Sequence, residues 1–180
     1  WGCIPTKALL KNAEVYHTIK HADTYGIKVE NVSVDFKKNI QRSRDISNRL
    51  SKGIEFLMKK NKITHITGIG KLTSKTSLEV KNKQKTDTIE ADKIILATGA
   101  RPRSFPGMEF DGNRVISFKE AMILDSPPKK MIIIGSGAIG SEFAYYYNEF
   151  GTEVHMIEML DRILPIEDAD VSKEVEKSFR

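Results

Sequence analysis

The stretch that most constrains the fold is Met131-Ile132-Ile133-Ile134 followed by Gly135-Ser136-Gly137-Ala138-Ile139-Gly140. A fully apolar run stops abruptly at a G-x-G-x-x-G pattern. Ser141 to Phe150 then reads as a helix, Gly151 stops it, and Glu153-Val154-His155-Met156-Ile157-Glu158 reads as a second strand. A lone G-x-G-x-x-G is a weak signal, but between a strand and a helix it specifies a βαβ unit built around a pyrophosphate. The three glycines play different parts. Gly135 permits the tight turn out of the strand, Gly137 leaves the backbone open to phosphate, and Gly140 lets the helix pack closely on the sheet. The helix N-terminus adds free amide donors and partial positive charge.

Glu158 stands 18 residues beyond Gly140, at the C-terminal end of the second strand. A carboxylate there accepts hydrogen bonds from both adenosine ribose hydroxyls and repels a 2′-phosphate, which points to NAD over NADP. Arg162 is near enough in sequence to keep NADP as an alternative. The bland reading of Gly135–Gly140, an ordinary strand-to-helix turn, leaves the complete βαβ context unexplained.

Upstream, Pro5 suits the first turn of a helix, which is expected to continue through about Ala22 with Leu9, Ala13, Tyr16 and Ile19 near one face. Gly26 breaks it. Ser33 and Asp35 are both suitable N-caps for a second, long helix. Its apolar positions Phe36, Ile40, Ile46, Leu50, Ile54 and Leu57 form one face, expected to pack into a core. From Ile63 the period falls to two. Ile63–Thr67, Lys71–Thr73, Ser77–Val80 and Asp87–Glu90 are expected as strands of a small antiparallel meander, and Lys93–Ala97 as a buried apolar strand. A short helix is expected over Phe118–Leu124, ending at Asp125-Ser126-Pro127-Pro128. The fold class is therefore α/β, with Rossmann-type nucleotide-binding domains and a small antiparallel meander.

The chain opens on Trp1 and ends on Arg180 inside a helical pattern, so both ends read as cut and the domains as truncated. No apolar run approaches the roughly 18–20 residues of a membrane helix. The net charge of +5, from 29 Lys+Arg against 24 Asp+Glu, admits nucleic acid or acidic membrane as a partner. The lysines are spread out, however, without interleaved aromatics, so a solvated surface explains them. Lys59-Lys60-Asn61-Lys62 falls where a helix ends, where cations complement its dipole. The four histidines show no metal-ligand spacing and are read as surface or packing residues.

A single cysteine rules out an internal disulfide framework and leaves a reduced, intracellular setting as the default. Cys3 precedes the helix that Pro5 opens, where the helix dipole and a nearby lysine both favour thiolate. That position suits a redox or nucleophilic cysteine, although a lone Cys is more often a small core residue.

The flanking residues Trp1-Gly2-Cys3-Ile4-Pro5-Thr6-Lys7-Ala8-Leu9-Leu10 resemble the redox-helix motif of the pyridine nucleotide–disulfide oxidoreductases, in particular the members that oxidise dihydrolipoamide. Ile94 to Arg103, containing Thr98 and Gly99, resembles the segment where the chain of that family returns to the flavin. Gly68-Ile69-Gly70-Lys71 resembles the strand facing the FAD adenine. Gly135, Ser136, Gly137, Ala138, Ile139, Gly140, Glu142 and Glu158 resemble the NAD site, and Glu158 to Pro165 continues the match.

The resemblance implies a partial FAD domain over residues 1–117 and the first part of an NAD domain over 118–180. It implies that Cys3 is the flavin-facing half of a Cys-x4-Cys disulfide whose partner precedes residue 1. It places Lys7 beside the flavin N5, paired with Glu142, where a cation stabilises negative charge on the reduced ring. The FAD fingerprint would precede Trp1, and the dimerisation domain would follow Arg180. The catalytic His–Glu pair would come from the other subunit of a homodimer; none of His17, His21, His65 and His155 matches it. The implied activity is oxidation of the dihydrolipoyl group of a 2-oxoacid dehydrogenase or glycine cleavage complex, with electrons passing through the cysteine pair and FAD to NAD⁺. The setting would be the cytoplasm, or the mitochondrial matrix in a eukaryotic cell. This piece alone is expected to be inactive. A mercuric or glutathione reductase-like enzyme and a non-catalytic dinucleotide-binding module are the alternatives.

Overall fold

A computed structural model describes residues 1–179. By backbone contacts the chain divides into two compact units, one of Trp1–Arg49 with Ser104–Arg180 and one of Leu50–Arg103.

In the first unit, α1 (Cys3–Lys20) begins at Cys3 itself, so Pro5 is the third helical residue and not the opener. Pro5 is still inside the first turn, where its missing N–H costs nothing. The helix ends at Lys20, and a 3-10 turn (Ala22–Tyr25) leads to Gly26 in the left-handed region at φ 72°. The helix α2 (Phe36–Lys60) starts where Asp35 caps it: the Lys38 amide donates to Asp35 Oδ1 at 3.0 Å. Its first half packs as expected, with Phe36 buried and Ile40 against the core. Its second half does not: Leu50, Ile54 and Leu57 are exposed, and residue 50 opens the second unit.

The helix α3 (Phe118–Ala121) is shorter than its sequence pattern. A capping box fixes its start, with Ser117 and Glu120 each satisfying the other's backbone. The core of the first unit joins Leu9 and Ala13 of α1, Phe36 of α2, Ala121 and Met122. Phe143, Tyr146 and Tyr147 of α4 (Ala138–Glu149) complete it. Tyr146 meets Tyr147 edge-on with ring centroids 5.0 Å apart, and Phe36 meets Phe150 in the same way at 5.5 Å. The Tyr147 hydroxyl donates to the Ala121 carbonyl, while the Tyr146 hydroxyl is buried with no hydrogen-bond partner among the described residues.

The second unit holds the meander: β1 (Ile69–Leu72), β2 (Ser77–Lys81) and β3 (Thr86–Glu90), antiparallel in the order β1-β2-β3. Neither Ile63–Thr67 nor Lys93–Ala97 is a strand. A strand needs a ladder partner, and no described residue pairs with either segment; Ile95 and Leu96 are exposed.

In the first unit, β4 (Lys130–Ile134) and β5 (Glu153–Ile157) pair in parallel across α4, with Lys130 opposite Glu153 and Ile134 opposite Ile157. Met131, Ile133 and Val154 face the core, whereas Ile132, Ile134 and Ile157 are exposed. The run Met131–Ile134 is therefore buried on one face only, because α4 covers one side of the pair. The last helix is α5 (Ala169–Phe179).

Candidate functional site

The turn from β4 into α4 is set by two glycines. The Gly135 N–H donates to the Ile157 carbonyl at 2.8 Å, extending the parallel ladder by one bond, and the chain then turns at a Gly135 φ of 101°. A side chain disfavours that conformation. At Gly140 an added Cβ would lie 2.0 Å from the Gly135 oxygen and 3.2 Å from Ile133 Cγ2, so helix and strand touch here through bare backbone. At Gly137, the N-cap of α4, a Cβ would meet nothing within 4 Å. No side chain caps this helix, so the amides of Ala138, Ile139 and Gly140 carry the free donor capacity of a helix start. An anion over Gly137 meets those donors and the positive end of the helix dipole.

Glu158 closes the second edge of the same site. Its Oε2 accepts from the Ser136 N–H and the Ser136 hydroxyl, both at 2.8 Å. Its Oε1 accepts from the amides of Met159 at 2.8 Å and Leu160 at 3.0 Å. Hydrogen bonds to the ionised form hold its pKa at about 2, those from the Leu160 and Ser136 amides and the Ser136 hydroxyl weighing most. Glu158 is therefore a carboxylate at any physiological pH.

Ser136, placed in the NAD site by family resemblance, makes contacts that the sequence pattern does not show. It is buried, and besides donating twice to Glu158 its carbonyl accepts from the Ser141 hydroxyl at 3.1 Å and the Leu164 amide at 3.0 Å. The glycine turn, the end of β5, the start of α4 and the loop after β5 thus meet at one residue. Leu164 sits at a φ of 50°, and its carbonyl accepts from the Ser172 hydroxyl at 3.1 Å, tying the loop to α5. Nothing in residue type marks Leu164 for this, and Ser141 reads as an ordinary helix residue. Arg162 turns into its own loop: its Nη2 donates to the carbonyls of Pro165 at 3.2 Å and Glu167 at 3.4 Å.

Lys7 and Glu142 come together: Lys7 Nζ of α1 forms an ion pair with Glu142 Oε1, one turn into α4. The lysine side chain is 59% exposed and the glutamate 24%. Cys3 is a free, exposed thiol on the same helix. At its far end α1 is held to α4 again, by His17 Nδ1 to Glu149 Oε1 at 2.8 Å and Lys20 Nζ to Glu149 Oε2 at 2.9 Å. The rings of His17 and His21 meet at a tilt with centroids 4.2 Å apart, His155 pairs with Glu153 at 2.9 Å, and His65 is exposed. Gly70, Thr98 and Gly99 lie in the second unit: Gly70 in β1 opposite Val80, Thr98 and Gly99 in an irregular segment with Gly99 at a φ of 79°.

Residues 1–180 match the family model described as pyridine nucleotide-disulphide oxidoreductase. The curated dihydrolipoyl dehydrogenase of Zymomonas mobilis is 45% identical over 181 residues, taking in 100% of this chain and 39% of the relative. That of Bacillus subtilis is 42% identical over 188 residues, taking in 99% of this chain and 40% of the relative. Among solved structures, LpdA from Mycobacterium tuberculosis gives a TM-score of 0.88 at 28% identity, over 99% of this chain and 39% of that one. The Cu(II) complex of the HOCl-induced flavoprotein disulfide reductase RclA from Escherichia coli gives 0.73 at 27% identity, over 99% of this chain and 37% of that one. The chain thus spans about two fifths of the length of the curated relatives it matches.

Proposed function

This chain belongs to the pyridine nucleotide-disulphide oxidoreductase family, and from that premise we propose that the protein it forms oxidises a dihydrolipoyl group to its disulfide and passes two electrons by way of FAD to NAD⁺. Residues 1–117 then contribute to FAD binding and 118–180 to NAD binding. The observation that carries this reading is the Lys7–Glu142 ion pair, which ties the helix bearing Cys3 to the helix behind Gly135–Gly140. An ion pair this exposed contributes only about 0–1 kcal/mol to stability, so its worth lies in what it aligns.

The residues present fit a pyridine dinucleotide. The space over Gly137 is open, the α4 amides are uncapped, and the Glu158 carboxylate stands at the end of β5. Glu158 repels a 2′-phosphate, and Arg162, spent on its own loop, does not offset this, which favours NAD. Cys3 and Lys7 are exposed on one helix, as contact with a flavin requires; the family pattern assigns Gly70, Thr98 and Gly99 to FAD. Bound FAD supplies a two-electron acceptor between thiols and NAD⁺.

Cys3, with the partner cysteine of the family's Cys-x4-Cys pair, exchanges with the substrate dithiol, which leaves as a disulfide while the cysteine pair is reduced. The two electrons then leave through the Cys3 thiolate. Lys7 holds positive charge where negative charge develops, and Glu142 fixes the direction of the ammonium. The dithiol loses two electrons and two protons; NAD⁺ gains both electrons and one proton as hydride, and the other proton goes to solvent. The substrate is the lipoyl group of a 2-oxoacid dehydrogenase or glycine cleavage complex, the working form a homodimer, and the setting a reducing cytoplasm, or the mitochondrial matrix in a eukaryotic cell. The relatives' names support the substrate. Steady-state assay of the full-length protein with dihydrolipoamide should give turnover with NAD⁺ far above that with NADP⁺. A strong NADP⁺ preference would overturn the coenzyme assignment, and no turnover with either would overturn the substrate.

A further inference from the structure

Glu158 has a crowded carboxylate. An ionised carboxyl offers about four lone-pair sites, and four donors at 2.8 to 3.0 Å already occupy them. Three of the four are backbone amides, of Ser136, Met159 and Leu160, and the fold fixes each. The Ser136 backbone is anchored further by its carbonyl, which accepts from the Ser141 hydroxyl and the Leu164 amide. The fourth donor is the Ser136 hydroxyl, which moves by rotation about a single bond. Any further hydroxyl donating to Glu158 therefore takes the place of that one group.

We propose that the Ser136 hydroxyl is a displaceable stand-in for an adenosine ribose hydroxyl, so that Ser136 sets dinucleotide affinity by competing for Glu158. The inference rests on the dinucleotide reading of the site. In the free protein the hydroxyl keeps the carboxylate satisfied and oriented. On binding, a ribose hydroxyl displaces it, and the energy of the Ser136–Glu158 bond is subtracted from the binding energy. The freed hydroxyl recovers part of that loss by finding a new partner. Removing the hydroxyl should therefore tighten binding, opposite to what deleting a polar group from a nucleotide site ordinarily does.

The decisive experiment is isothermal titration of the full-length protein and its S136A variant with NAD⁺, and with the NAD⁺ analogue lacking the adenosine 2′-hydroxyl. S136A should bind NAD⁺ about tenfold more tightly, equivalent to ~1.4 kcal/mol, and should gain less with the deoxy analogue. Ser136→Cys, of similar shape but with a weak donor, should lie between. Equal or weaker NAD⁺ binding by S136A, with S136C binding like wild type, would overturn the inference and leave the dinucleotide site standing. Wild-type protein that binds neither NAD⁺ nor NADP⁺ would overturn both. Hydrogen exchange at the Met159 and Leu160 amides reports whether Glu158 keeps its place in each variant; loss of protection in both variants, with weakened binding, counts against a displaceable role and for a structural one.

Discussion

Lys7 and Glu142, 135 residues apart in sequence, are joined by an ion pair that links α1 and α4 about one turn in from the start of each. The two helices carry the free thiol of Cys3 and the uncapped amides behind Gly137. A single contact thus relates the helix of Cys3 to the helix that follows the glycine turn, while contributing little to folding.

Removing the charge should separate rate from stability. In the full-length protein Lys7→Met is expected to slow flavin reduction by dithiol by about tenfold or more, with the midpoint of thermal unfolding nearly unchanged. Stopped-flow absorbance reads the first and calorimetry the second. Unchanged reduction kinetics would remove Lys7 from the mechanism.

Glu158 makes the site acid-sensitive in a defined window. Its pKa in the folded chain is about 2 against an ordinary 4.5. A depressed carboxyl contributes stability that is fully present above about pH 4.5 and is lost as pH falls through about 2. Glu158→Gln should flatten that part of the stability curve, measured by urea unfolding from about pH 5 down to about pH 2. A curve identical to wild type would show that the four hydrogen bonds do not favour the ionised form.

Gly140→Ala tests the close approach of helix and strand. Its new Cβ would stand 2.0 Å from the Gly135 oxygen, a backbone atom with nowhere to go without opening the turn. Overpacking of this kind costs about 1–3 kcal/mol, and the backbone clash argues for the upper end. The thermal midpoint should fall by several degrees and dinucleotide binding should weaken. Gly137→Ala meets no atom within 4 Å, so it should fold normally and lose only binding.

Tyr146→Phe runs the other way. The Tyr146 hydroxyl is buried without a partner among the described residues, and burial raises its pKa. Deleting an unsatisfied hydroxyl spares a desolvation cost of about 1–3 kcal/mol, so the variant should melt at a higher temperature. Tyr147→Phe, which loses the bond to the Ala121 carbonyl, should melt lower. Equal shifts in the two would contradict the assignment of partners.

Local chemistry was legible in the sequence, and long-range pairing was not. Gly135–Gly140, the flanking strands and Glu158 follow from short-range pattern, and Asp35 and Ser117 act as caps through neighbours two or three residues away. The segments Ile63–Thr67 and Lys93–Ala97 carry a strand-like composition, yet a strand is defined by its ladder partner, which composition does not supply. The exposure of Ile132 and Ile134 has the same origin, since which faces are covered depends on elements elsewhere in the chain. The Lys7–Glu142 pair was reached only through family resemblance, because no spacing rule joins residues 135 apart. Ser136 was placed in the NAD site by family resemblance, but its bonds to Glu158, Ser141 and Leu164 depend on turn geometry that residue types do not encode.

The most direct test of the central claim is a visible absorption spectrum of the full-length protein during anaerobic titration with dihydrolipoamide, followed by addition of NAD⁺. A cysteine–FAD–NAD relay predicts a flavin spectrum that develops a long-wavelength thiolate-to-flavin charge-transfer band and returns to the oxidised form on adding NAD⁺, with the band absent in Cys3→Ser. A protein without flavin absorbance, or a flavin that neither dihydrolipoamide nor Cys3→Ser affects, would contradict it.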